Sequence, residues 1–234
     1  MATLALVPAG AAETKAEEPK HLAAARLLLK EVHPEDSSYQ HKDSSVRWKD
    51  DDGASKAECH TDCSGFLDAL LKHSYGYTQA DLKKWFGDKR PKAHDYYDTI
   101  AKENGFAKIA NLKNVRPGDI IAIKYPPGGE NTGHILLVNS APEARKATKP
   151  LVEKTEQWEV SVIDCSRSGH GKTDTRHKDD GKFRDGLGQG VFRLYTDHTG
   201  DVVGYSWSVL GASEYVDQAS HALAIGRVDA SFKP

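Results

Sequence analysis

The chain has 234 residues, 38% hydrophobic and 28% charged, with 32 Lys and Arg against 34 Asp and Glu for a formal net charge of −2. That length can enclose one sizeable core, the near-neutral charge without a basic block excludes a dedicated nucleic-acid binder, and no apolar run reaches the roughly 18 residues needed to cross a bilayer. Three cysteines, Cys59, Cys63 and Cys165, exclude a disulfide-stapled miniature fold and leave at least one thiol unpaired within the chain.

Residues 1–12 are small and apolar, and their Ala-rich end before Glu13 resembles the cleavage zone of a secretory signal without its basic start. Residues 1–20 are therefore expected to be a flexible tail or a signal remnant. The second option implies a secreted or periplasmic protein. Residues 21–32 carry Leu22, Ala25, Leu28, Leu29 and Val32 at helical spacing, which predicts an amphipathic helix ending before Pro34. Residues 33–62 turn polar and predict a long loop at a cleft. Residues 63–73 set Phe66, Leu67, Leu70 and Leu71 on one face behind an Asp62 N-cap, so Cys63 falls in the first turn of a buried helix. Two shorter helices are predicted at 78–86 and 94–104, ended by Gly87 and Gly105.

The pattern then changes to strands. A turn at Arg116, Pro117, Gly118 and Asp119 leads into an apolar run at 120–124, and further strands are predicted at 134–138 and 158–164. The last of these alternates, with Val160, Val162 and Asp164 on one face and Ser161, Ile163 and Cys165 on the other. A glycine-rich loop at 169–190 carries His170, Asp174 and Arg176; it either overhangs the cleft or is solvated. A hairpin at 191–195 and 202–207 and a last strand at 222–228 complete the chain, with Arg193, Tyr205 and Trp207 read as packing. Helices first and antiparallel strands afterwards make an α+β domain spanning 21–234.

Three residues carry the chemistry. Cys63 begins a helix, where the dipole and unpaired N–H groups stabilise a thiolate and can receive an oxyanion. His134 opens an apolar strand with its ring free to face a cleft, and Asp164 ends an apolar row where it can orient an imidazole.

The segments Asp62-Cys63-Ser64-Gly65-Phe66, Arg116-Pro117-Gly118-Asp119-Ile120-Ile121 and Gly133-His134-Ile135-Leu136-Leu137-Val138, in that order, resemble the NlpC-type cell-wall cysteine peptidases of the papain-like superfamily, which includes the CHAP amidases. The resemblance covers about residues 59–165 and implies a papain-like core with N-terminal helices packed on a mainly antiparallel sheet and a helical insertion near 75–104. It implies Cys63 as nucleophile, His134 as general base and then acid, and Asp164 as the orienting residue. It also offers Asp62 and Ser64 as contacts for the free amine of a stem peptide. The substrate so implied is a peptide derived from peptidoglycan, cleaved at an amide by a monomer that needs no cofactor or metal. The family pattern has a Tyr just before the cysteine motif, whereas here the nearest preceding one is Tyr39.

Other readings stay open on the residues. The same fold can serve as an acyltransferase or a catalytically silent binding module. Cys59, His60, Cys63, Cys165 and His170 also supply enough soft ligands for a zinc site. Cys59 and Cys165 are the pair that could form a disulfide if the protein is exported.

Overall fold

Leu22, Ala25 and Leu28 recur at helical spacing, and all three are fully buried on the inner stripe of α1 (Lys20–Glu31). The computed structural model describes residues 17–49 and 51–234, so residues 1–16 of the expected tail or signal remnant lie outside the described residues. At the start of α1, the Tyr75 hydroxyl donates to His21 Nδ1 at 2.6 Å and His21 Nε2 donates to the Gly118 carbonyl at 2.7 Å. Burial lowers the His21 pKa, in keeping with a neutral ring that accepts on one side and donates on the other.

The stretch expected as a long loop contains three short strands, β1 (Ser37–Tyr39), β2 (Ser45–Arg47) and β3 (Glu58–Thr61). They pair in the order β1-β3-β2, with β1 parallel and β2 antiparallel to β3. Strands this short and polar have no period-two signature. Distant contacts hold them: the Leu187 N–H donates to Ser37 Oγ at 2.8 Å and the Tyr39 N–H to Asp185 Oδ2 at 3.2 Å.

Helices α2 (Cys63–Tyr75), α3 (Gln79–Phe86) and α4 (Ala93–Ala101) follow, and the last two occupy the expected insertion. Asp62 caps α2, and a Thr78–Asp81 capping box starts α3. The buried face of α2 joins Leu22 and Leu28 in one cluster with Ile135, Leu137 and Ile163 of the sheet beneath.

That sheet comprises β4 (Phe106–Lys108), β5 (Ile120–Lys124), β6 (Gly133–Val138), β7 (Glu143–Arg145), β8 (Glu156–Ser166), β9 (Gly186–Thr196), β10 (Val202–Ser206), β11 (Tyr215–Asp217) and β12 (Ala222–Val228). The strand order is β11-β10-β9-β8-β6-β5-β12-β4, with β7 beside β8, and its ladders are antiparallel. Its other face gathers Ile121, Leu136, Val160, Val162 and Phe192 into a second cluster. Burial on both faces explains why β5 and β6 read as unbroken apolar runs rather than alternating ones. The arrangement is α+β: among the described residues, four α-helices lie against a large, mainly antiparallel sheet. At the turn entering β5, Arg227 grips Asp119 with two bonds of 2.8 and 2.9 Å, so this aspartate fixes the turn.

Between α2 and α4, the Tyr96 hydroxyl donates to Asp68 Oδ1 at 2.7 Å, while Asp68 Oδ2 has no partner among the described residues. Burial pushes the Asp68 carboxyl up to about 8, against the pull of Tyr96 and Lys72. The folded state therefore keeps a proton that the unfolded chain releases above its ordinary value, so Asp68 costs progressively more stability as pH rises from about 4 to about 8. Urea unfolding of the wild type and Asp68→Asn across that range checks this. The stability difference should move steadily in favour of the variant with rising pH, and a pH-independent difference would contradict it.

Candidate active site

Cys63 is the first residue of α2, and the local sequence explains how it is held there. The Asp62 carboxylate accepts the Gly65 N–H at 2.8 Å and the Asp62 carbonyl accepts the Phe66 N–H at 3.0 Å. The Cys63 and Ser64 N–H groups have no hydrogen-bond partner among the described residues, so they remain to receive a ligand oxygen. Gly65 is required for space: a Cβ there would stand 2.2 Å from Thr61 Oγ1, at the end of β3.

His134 is the second residue of β6. Gly133 before it has φ +140°, and a Cβ would lie 1.9 Å from the Ile123 carbonyl oxygen, so only glycine lets the strand begin here. His134 Nε2 donates to Asp164 Oδ2 at 2.6 Å, and the ring lies close enough to Cys63 for charge on the sulfur to act on it. Burial alone would lower the His134 pKa. The charge on Cys63, the hydrogen bond to Asp164 and the charge of Asp164 outweigh it and raise it to about 10. The structure thus brings Cys63, His134 and Asp164, the three residues expected from the sequence, into one neighbourhood, with His134 and Asp164 hydrogen-bonded.

Behind Asp164 lies a layer that sequence reasoning left as a loop over the cleft or in solvent. Arg176 is 1% exposed and donates from Nη2 to Asp164 Oδ1 at 2.8 Å, while Asp174 takes its Nε at 2.9 Å and its Nη2 at 2.8 Å. His170 Nε2 bonds Asp164 Oδ2 at 3.1 Å and its Nδ1 donates to the Trp207 carbonyl at 2.8 Å. Burial raises the Asp164 pKa, but the charges of Arg176 and His170 and the bonds from both histidines hold the carboxyl well below the usual carboxylate range. Trp207, expected as packing, lies edge-on to His134 at 4.8 Å between ring centroids and tilted on His170 at 4.5 Å, closing the network from water. The trace of this layer in the sequence is glycine on alternate positions of β9. A Cβ on Gly188 would meet Arg176 Nε, and one on Gly190 Asp174 Oδ2, each at 2.3 Å.

In front of Cys63 opens a cleft of about 660 Å³. Tyr39 lines it despite its distance along the chain, because β1 pairs with β3, the strand that leads to the nucleophile. A smaller hollow of about 280 Å³, walled by Tyr125, Ser168 and Trp207, continues past His134 on the other side. Asp62 and Ser64 also line the main cleft, but their polar atoms are occupied. Ser64 Oγ donates to Asp62 Oδ1 at 3.1 Å, and Asp62 Oδ2 takes Arg90 Nη2 at 3.0 Å and His41 Nδ1 at 3.1 Å. Burial pushes the Asp62 carboxyl up, and these partners with the Gly65 N–H bring it below its ordinary value. The role of amine receptor implied for Asp62 is therefore filled from within the chain by Arg90.

The other two cysteines lie behind Cys63. Cys59 and Cys165 are free thiols, fully buried and near each other, and Cys165 donates to the Thr61 carbonyl at 3.0 Å. The nearby Cys59 and burial push the Cys165 thiol well above its ordinary value, which keeps it protonated and unreactive. His170 and Cys165, needed by a zinc reading, are thus committed to Asp164 and Thr61. Among the described residues no group of three or more His, Cys, Asp or Glu is arranged to hold a metal ion.

Over 223 residues, 91% of this chain and 97% of the relative, the sequence is 42% identical to the uncharacterized protein R653 of Acanthamoeba polyphaga mimivirus. No protein-family model and no solved structure matches the chain.

Replacing Arg176 with Met leaves two buried carboxylates without their cation, which should lower the unfolding free energy by about 3 kcal/mol or more. Because the folded Asp164 pKa is depressed, its contribution is full above the ordinary carboxylate range and is lost as pH falls through the folded value. The destabilisation should therefore be largest near neutral pH and shrink on acidification, as the carboxylates left without their cation take up protons. Urea unfolding at pH 7 and an acid titration followed by circular dichroism check both. A variant as stable as the wild type would contradict the role given to Arg176.

Proposed function

We propose that this chain, which belongs to one family with the mimivirus protein, is a papain-like thiol hydrolase that cleaves an amide bond through an acyl-enzyme. One observation carries the reading: His134 donates to a buried, ionised carboxylate and lies beside a helix-initial cysteine whose charge acts on it.

The steps follow from that geometry. The Cys63 thiolate attacks the substrate carbonyl carbon, and the carbonyl oxygen gains negative charge within reach of the Cys63 and Ser64 N–H groups. The bond to Asp164 at Nε2 leaves Nδ1 of His134 toward the sulfur, so the proton on Nδ1 passes to the leaving amine as the carbon–nitrogen bond breaks. Water then attacks the thioester carbonyl, giving its proton back to His134, and the acid product leaves with Cys63 regenerated. Asp164 stays ionised throughout, because Arg176 and His170 hold it so, and it fixes the tautomer and stabilises the imidazolium. A peptidoglycan stem peptide, the substrate implied by the motif resemblance, is the first amide to try.

Iodoacetamide should alkylate Cys63 at pH 6, where an unactivated thiol with a pKa near 8.5 is almost inert. His134→Ala should remove that reactivity. Amide hydrolysis should vanish in Cys63→Ala and decline as pH rises through about 10, where His134 loses the proton it gives to the leaving group. Cleavage retained in Cys63→Ala, or alkylation only above pH 8, would overturn the proposal.

A further inference from the structure

The main cleft is lined by five basic side chains, His41, Lys42, Arg90, Lys92 and Arg167, and by two acids, Asp62 and Glu130. Within it, His41 and Arg90 pair with Asp62. Lys42, Lys92 and Arg167 are exposed, and none of them is in an ion pair with a described residue; Arg167 only lies over the Tyr39 ring at 5.5 Å. They come from three separate segments: the turn after β1, the N-cap of α4 and the loop after β8. The chain as a whole carries a formal charge of −2, so three unpaired cations converging on the nucleophile run against its average. A concave wall of one sign concentrates ligands of the other sign and repels those of its own.

We propose that the Cys63 cleft takes an acidic peptide, whose carboxylate side chains beside the scissile amide are received by Lys42, Lys92 and Arg167. The inference rests on the hydrolase reading and adds its substrate class. Two features narrow the ligand further. Asp62 is held by Arg90, His41, Ser64 and the Gly65 N–H, so a ligand ammonium would have to displace partners already in place. Asp62 and Glu130 in turn interrupt the basic wall, which suits separate carboxylates on a peptide better than a continuous run of phosphates. Arg167 also borders the adjoining hollow, beside Ser168, Tyr125 and Trp207, so its charge reaches both spaces flanking Cys63 and His134.

Binding tests this without turnover. Two peptides of equal length, one with Glu and one with Lys flanking a central amide and each carrying a neutral fluorophore, are titrated into Cys63→Ala and followed by anisotropy. The acidic peptide should bind at least about tenfold more tightly at low salt, the margin should shrink as ionic strength rises, and Lys42→Glu with Lys92→Glu should abolish or reverse it. Equal affinities, or preference for the Lys peptide, would overturn the inference. So would an RNA oligonucleotide outcompeting the Glu peptide, since that would make the wall a phosphate site. In the protein with Cys63 intact, the ratio of alkylation rates with anionic iodoacetate and neutral iodoacetamide should exceed that of free cysteine and fall in the double reversal. Because iodoacetamide reports the thiolate and the peptides report the cleft, an unreactive Cys63 would sink the hydrolase reading, while loss of charge preference alone would sink only the acidic-peptide inference.

Discussion

A carboxylate with no solvent contact survives as an anion only if every lone pair it presents finds a donor, and Asp164 meets that condition through Arg176, His134 and His170. The rest of the site depends on it. Were Asp164 neutral, His134 would lose both the acceptor that orients its ring and part of the charge that keeps it protonated beside Cys63. The cation that prevents this, Arg176, is itself buried and is tolerated only because Asp174 shares it. The unit is thus two carboxylates around one guanidinium with two imidazoles at its front edge, and removing any member exposes the desolvation cost of another.

The fold supplies this unit from neighbouring strands. The eleven-residue ladder between β8 and β9 brings Asp164 opposite Gly188, and the loop that joins the two strands folds back so that Arg176 and Asp174 fill the space left by two glycines. His134 comes from β6 and shares the Asp164 face of the sheet, while Cys63 arrives from the helix layer on the opposite face. The chemistry sits at the sheet margin because only there can a helix N-terminus reach a side chain from the far face. Trp207, at the end of β10, covers the two histidines. The donors and charges are consequently in place before a substrate enters, the condition under which electrostatic stabilisation of a developing oxyanion is most effective.

How much of this was legible depended on whether the responsible interaction is local. Helices α1, α2 and α3 announce themselves through apolar spacing, caps or terminal glycines, β5, β6 and β12 through apolar runs, and β8 through alternation. Cys63 and His134 stand out because a helix start and a strand start are themselves local signals. The small sheet of β1, β2 and β3 was read as loop because its strands are held by Ser37, Tyr39 and Asp185 contacts from far along the chain. For the same reason Tyr39 looked too distant to belong to the site. His170, Asp174 and Arg176 sit in a stretch of mixed charge that composition alone makes look solvated. Their burial follows from a closed set of ion pairs, and that is a property of positions in space with no periodicity to betray it.

The helical stretch between the nucleophile and the first sheet strand shows how an element can act without touching the triad. Judged by its sequence it is packing, and Tyr96, Trp85 and Phe86 do pack. The connection between α3 and α4, however, delivers Arg90 to the carboxylate beside Cys63 and sets Lys92 at the cleft wall. Arg90 also donates to the His41 carbonyl at 2.6 Å and to Ser44 Oγ at 2.8 Å, so it fastens the turn that carries Lys42. A site with the same three catalytic groups but without this connection would present Asp62 as a free anion next to its nucleophile and would attract cations. The insertion reverses that sign. Under the proposed function, Cys63, His134 and Asp164 would attack the amide, and the residues between α3 and α4 would bias which amide arrives.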